Sequence, residues 1–130
     1  MEPTLITDHA LRDVLDELKR LEPIFHRREL GTTRADFESM TVADFWEVGA
    51  SGRRYDRDYV LAELEKRYVQ EYLDLWETRD FCCRRLAEDL YLLTYTLLQV
   101  ERTTRRATIW QRTQSGWKIV FHQGTIVQDG

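Results

Sequence analysis

Leu90–Gln99 (LYLLTYTLLQ), Thr104–Arg112 (TRRATIWQR) and Trp117–Gly124 (WKIVFHQG) follow one another closely. Only a charged turn at Glu101–Arg102 and the triplet Gln114-Ser115-Gly116 separate them. All three are rich in β-branched and aromatic residues, which suit a pleated, half-buried surface, and short polar breaks suit hairpins. The stretch therefore predicts three consecutive antiparallel strands. Centring the last hairpin on Gln114-Ser115 sets Trp110 opposite Ile119 and Thr108 opposite Phe121. Centring the one before on Glu101-Arg102 sets Tyr95 opposite Thr108 and Leu93 opposite Trp110. One face then carries Tyr91, Leu93, Tyr95, Leu97, Arg106, Thr108, Trp110, Ile119, Phe121 and Gln123. The other carries Leu92, Thr94, Thr96, Ala107, Ile109, Val120 and His122. A slip of one residue would exchange the faces.

Working back from this sheet, the upstream chain supplies what covers it. Thr7 or Asp8 can cap a first helix whose apolar stripe is Leu11, Val14, Leu15, Leu18 and Leu21. Pro23 either ends it or starts a short turn through Ile24-Phe25-His26. Thr33 and Asp36 have capping-box spacing and open a helix from Arg34 to Met40. Thr41–Val48 (TVADFWEV) reads as a strand, Gly49–Gly52 as a turn and Arg53–Tyr55 as a short return. Asp56 can cap a helix from Arg57 to about Tyr68, with Val60, Leu61 and Leu64 buried. Glu71–Thr78 reads as an extended connection into a strand at Arg79–Leu86. Helices gathered against a mostly antiparallel sheet make an α+β fold.

At 130 residues, 42% hydrophobic and 32% charged, the chain is expected to be one domain, residues 1–130, with room for a core and a pocket. A net charge of -4 speaks against a broad nucleic-acid footprint. No apolar run is long enough to span a membrane, and the acidic, polar start does not look like a secretory leader. A cytoplasmic protein is the expectation. Cys82 and Cys83 are adjacent and lack metal-site spacing, so they read as two reduced structural thiols.

Certain motifs carry a family resemblance. They are Asp44-Phe45-Trp46-Glu47-Val48-Gly49-Ala50-Ser51-Gly52-Arg53 with Tyr55-Asp56-Arg57 behind it, then Ala107–Arg112, then Ser115–Gln123. In this order they resemble the nuclear-transport-factor-2-like (NTF2-like) superfamily, in particular its SnoaL-like and DUF4440-type domains. The final strand–Gly-Trp–strand hairpin is the most specific part. The resemblance implies a cone-shaped barrel, a curved sheet wrapped around a helix with a pocket at the open end. It also implies a dimer packed through the outer sheet face. Isomerases, cyclases, dehydratases and association domains share the scaffold, so fold alone does not set activity.

On this frame the aromatic face is expected to line the cone. A small, partly apolar organic ligand would then meet Trp46, Tyr95, Arg106, Thr108, Trp110, Phe121 and Gln123. Arg106 can hold a carboxylate through paired hydrogen bonds, or be solvated at the sheet margin, or pair with Asp44 or Glu47. The leaner face, still apolar, is expected to be buried against a second copy of the chain. His122, on that face, is either a proton acceptor or a structural histidine at the dimer seam. The isomerase branch carries its catalytic carboxylate at the end of the first strand, where this chain has Val48-Gly49. An enzyme would have to use Asp44 or His122 instead, with Glu47 a further candidate. His9 and His26 have no carboxylate at metal-ligand spacing, so neither metal nor cofactor is expected.

Overall fold

The computed structural model describes residues 1–70 and 74–128. Asp8 caps the start of the first helix by accepting from the Ala10 amide, and a 3-10 turn at His9–Leu11 runs into α1 (Arg12–Lys19). Of the predicted stripe, Val14 and Leu18 are buried. The helix ends at Lys19, before Pro23, and a turn follows at Ile24-Phe25, where the His26 amide donates to the Pro23 carbonyl at 3.2 Å. The capping box forms as read: Asp36 N–H donates to Thr33 Oγ1, and the Asp36 carboxylate accepts from the Thr33 amide, opening α2 (Arg34–Met40). β1 (Thr41–Val48), β2 (Arg54–Asp56) and α3 (Arg57–Val69) follow, with Asp56 accepting from the Tyr59 amide as the α3 cap.

Four long strands complete the sheet: β3 (Trp76–Ala87), β4 (Leu90–Gln99), β5 (Thr103–Thr113) and β6 (Gly116–Ile126). β3 starts three residues before the predicted Arg79. The sequence expectation for Glu71, Tyr72 and Leu73 lies outside the described residues. The order is β2-β1-β6-β5-β4-β3, antiparallel except where β1 runs parallel to β6. The three helices pack on this curved, mostly antiparallel sheet, making an α+β cone. Leu18, Phe37, Phe45, Leu61, Leu93, Leu97 and Ile119 are almost fully enclosed between the layers. Phe25 meets Phe37 and Phe45 edge to face at 5.9 and 6.2 Å.

Two departures in register decide which side chains face inward. β4 and β5 pair two residues away from expectation, with Tyr95 opposite Arg106, Leu93 opposite Thr108 and Tyr91 opposite Trp110. A slip of two keeps every side chain on its predicted face. The β5–β6 pairing begins as expected, Trp110 opposite Ile119, but Ile109 then lies opposite Phe121. Val120 is the extra residue of a β-bulge, and beyond a bulge the alternation of faces reverses. His122 therefore turns inward, opposite Thr108, while Phe121 and Gln123 turn outward.

The first strand is reversed too. Phe45, not Trp46, enters the core: Phe45 is 1% exposed, whereas Trp46 is 42% exposed and packs on Phe121 at 4.7 Å. Asp44 lies exposed with Trp46 on the outer side, and Glu47, paired in register with His122, lies on the inner side. Adjacent aromatics at positions 45 and 46 fit either alternation; packing of Phe45 against Phe25 selects one.

Both cysteines are free. Burial pushes the Cys83 thiol up to about 11, so it stays protonated and unreactive at neutral pH.

Candidate functional site

The deepest feature of the interior is a carboxylate that the sequence did not single out. Glu22, in the loop between α1 and α2, is fully buried. Its Oε1 accepts from the Tyr95 hydroxyl at 2.7 Å and the Ile24 amide at 3.0 Å, and its Oε2 accepts from Trp110 Nε1 at 3.0 Å. Thr108 adds a further side-chain hydrogen bond. Burial pushes this carboxyl above the ordinary range, and the four donors pull it back toward ionisation. Glu22 sits in the apolar run Leu21-Glu22-Pro23-Ile24-Phe25, and a lone carboxylate among such residues is the signal that could have marked it.

A chain of hydrogen bonds runs from Glu22 to the cavity. Arginine can only donate, so Arg106 Nη1–H, 3.3 Å from His122 Nε2, makes that nitrogen the acceptor. The proton of the neutral ring is then on Nδ1, which donates to Thr108 Oγ1 at 2.9 Å. Burial, with the Arg106 charge next and His26 after it, holds His122 well below the ordinary histidine range. Arg106 also donates from Nε to Thr104 Oγ1 at 3.0 Å. Its guanidinium lies against β6 where Gly124 is its cross-strand partner; a Cβ there would sit 3.2 Å from Arg106 Nε. Only glycine leaves that approach unhindered.

Stability should follow from this histidine. The unfolded chain takes up a proton near pH 6.5, whereas folded His122 does so only at lower pH, so stability is full above that value and declines as pH falls. We expect wild type to be more stable than His122→Gln at about pH 7.5, and the margin to shrink by about 1 kcal/mol or more on going to about pH 5. Urea unfolding of both proteins at each pH checks this. His26 acts on His122, so the same comparison in a His26→Gln background isolates the His122 contribution. A margin constant with pH would show that His122 is protonated as easily folded as unfolded.

Above this chain lies a cavity of about 420 Å³. Its polar lining includes Glu47, Gln99, Arg106 and His122, its apolar lining Ile24, Phe25, Val48, Val60 and Leu64, and Arg67 and Arg102 also contribute. Tyr55 and Tyr59, both lining it, stack at 4.8 Å. On one wall His26 Nδ1 is 2.8 Å from Asp74 Oδ2. The two are 48 positions apart in the chain, which is why local spacing could not pair them. Burial lowers the His26 pKa, against the pull of Asp74. Burial raises that of Glu47, offset by Arg106 and Arg67.

The expected pocket residues divide. Arg106 lines the cavity, but among the described residues no carboxylate reaches it as an ion pair, so the expected pairing with Asp44 or Glu47 does not occur. Tyr95, Thr108 and Trp110 lie beneath the cavity as partners of Glu22 and His122 rather than on its wall. Trp46, Phe121 and Gln123 belong to the outer face, as does Asp44, for the register reasons above. His122 lines the cavity, contrary to its predicted face, but both its ring nitrogens are occupied. Glu47, rather than Asp44, lines the wall, and His26 joins His122 there. Among the described residues no cluster of three or more His, Cys, Asp or Glu side chains could hold a metal ion. No helix among them is long and apolar enough to cross a membrane.

A six-stranded sheet of this order, with three helices closing one side and a polar cavity at the mouth, has close structural counterparts. An NTF2-like protein from Cytophaga hutchinsonii superposes with a TM-score of 0.69 at 18% identity, covering 89% of this chain and 98% of that one. The chain has the NTF2-like fold. A proposed dehydratase of the NTF2-like family from Streptomyces avermitilis gives a TM-score of 0.71 at 14% identity, over 90% of this chain and 98% of that one. A proposed calcium/calmodulin-dependent kinase II association domain from Exiguobacterium sibiricum gives 0.62 at 15% identity, over 100% and 99%. No protein-family model and no curated protein matches the chain. Proteins of similar structure thus carry both enzyme-like and assembly-like names, and function has to be argued from the cavity.

Proposed function

We propose that this NTF2-like chain binds a small, partly apolar organic acid in the cone cavity. One observation carries the reading: Arg106 is a guanidinium largely withdrawn from water, fixed by Thr104 and His122, with no carboxylate ion-paired to it among the described residues. A buried cation is costly unless paired, and a ligand carboxylate would supply the pairing through charge-assisted hydrogen bonds. Ile24, Phe25, Val60 and Leu64 offer the apolar contact, and the cavity volume suits a small organic molecule. Titration calorimetry with caproate and with hydrocinnamate tests it. Saturable binding of either supports the reading; no heat from either, at millimolar concentration, refutes it.

The His26–Asp74 contact favours a second reading, a proton-transfer enzyme of the isomerase, cyclase or dehydratase kind. Asp74 holds the Nδ1 proton, and His26 Nε2 has no partner among the described residues, so it can accept a proton from a bound acid. His26, rather than Asp44 or His122, is then the acceptor. Within the fold, the Gly116-Trp117 hairpin favours the SnoaL-like and DUF4440-type branch.

We further propose a homodimer through the outer sheet face. Leu92, Ile109, Phe121 and Trp46 stand side by side across β4, β5, β6 and β1 and form an apolar row. Light scattering at micromolar concentration should give twice the chain mass, and Phe121→Glu should give the mass of one chain. A wild-type monomer would rule the dimer out.

A further inference from the structure

The cavity has unmet hydrogen-bond acceptors as well as an unmet cation. Gln99 Oε1, at the end of β4, is a buried oxygen without a hydrogen-bond partner among the described residues. The Glu47 carboxylate, on the inner side of β1, receives no hydrogen bond or ion pair from any described residue; Arg106 and Arg67 act on it only at longer range. Both groups line the cavity that Arg106 lines. A buried acceptor such as Gln99 Oε1 forfeits, without a donor, the hydrogen bonds it had in water, and the half-buried Glu47 carboxylate faces the cavity, where a cationic ligand group can reach it. Arg106 asks for a negative group; Glu47 and Gln99 ask for hydrogen-bond donors, and Glu47 for positive charge.

The sheet sets these demands apart. β1, β6, β5 and β4 are consecutive, so Arg106 on β5 is flanked by Glu47 two strands to one side and by Gln99 one strand to the other. At about 4.8 Å per strand, Glu47 and Arg106 stand on lines roughly 10 Å apart. One small molecule can bridge that distance if it is anionic at one end and carries an N–H donor at the other. Simple fatty or aromatic acids would satisfy Arg106 and leave Glu47 without a cationic partner.

Resting on the organic-acid reading above, we propose that the ligand is an amino acid or another amino-carboxylate. Its carboxylate sits on Arg106 and its ammonium on Glu47. The apolar wall holds the carbon chain or ring. Arg106 and Arg67 act on Glu47 only at longer range, so a ligand ammonium is the group that can meet its carboxylate directly.

The test compares acids with and without the amine on the same carbon skeleton. Caproate, ε-aminocaproate, hydrocinnamate and phenylalanine are titrated calorimetrically into the full chain and into Glu47→Gln. Glu47 is only half-buried, so this isosteric change leaves the core intact. The proposal expects at least one amino acid to bind about tenfold or more tightly than its amine-free counterpart. In Glu47→Gln that advantage should vanish while the amine-free acids bind as before. If amine-free acids bind equally well or better, the proposal fails and the organic-acid reading stands. If the advantage survives in Glu47→Gln, the assignment of the ammonium to Glu47 fails. If none of the four binds, both readings fall together.

Discussion

Replacing Glu22 by alanine should cost the fold more than any other single polar substitution in the chain, about 4 kcal/mol in urea unfolding. The carboxylate is fully enclosed and accepts from the Tyr95 hydroxyl, the Trp110 indole and the Ile24 amide, with Thr108 beside them. Alanine removes every acceptor at once. The indole and amide hydrogens cannot turn elsewhere and stay buried without partners, each worth roughly 1–3 kcal/mol. The lost side-chain volume adds a cavity. Glu22→Gln is the informative companion. It keeps the volume and one acceptor oxygen and removes a buried charge, but its amide nitrogen cannot accept from two donor-only groups on opposite oxygens. It should lose about half as much. Equal losses would assign the cost to charge; no loss in either would mean that Glu22 is not enclosed.

The second large effect concerns ligand. Arg106→Gln should weaken binding of caproate or hydrocinnamate by about a hundredfold, near 2.7 kcal/mol, because two charge-assisted hydrogen bonds go with the guanidinium. Arg106→Lys should fall between, since an ammonium restores the charge without the fork. The same substitution has a signature at His122. Arg106 is the foremost charge that keeps the imidazole neutral, so its removal should move the His122 titration upward, toward the ordinary histidine range. Imidazole chemical shifts followed against pH report this directly. Weakened binding with an unmoved His122 would mean that Arg106 and His122 are not in contact.

Element boundaries were legible in the sequence wherever local chemistry set them. Thr33 with Asp36, and Asp56 at the head of α3, are capping signals whose partners lie within three residues. The late strands were legible from composition, and a register error of two between β4 and β5 did no harm to the faces. The bulge at Val120 is different. Nothing in Ile119-Val120-Phe121 distinguishes a regular strand from a bulged one, and the inserted residue exchanges His122 for Phe121 on the inner face. The error over Trp46 and Glu47 has a similar origin, because Phe45 and Trp46 satisfy opposite alternations equally well. Arg106 was readable, sitting on a stretch without irregularity. Glu22, the His26–Asp74 contact and the lone oxygen of Gln99 depend on side chains meeting from distant elements. Such meetings leave no periodic trace in a chain.

The proposed site turns on an acid docked on Arg106 inside the cone. A crystal structure of the protein soaked with hydrocinnamate addresses it most directly. The carboxylate should lie within hydrogen-bonding distance of the Arg106 guanidinium, with the ring against Phe25 and Leu64. Hydrocinnamate seated instead on the outer row of Leu92, Ile109 and Phe121, with the Arg106 guanidinium facing only water, would contradict it.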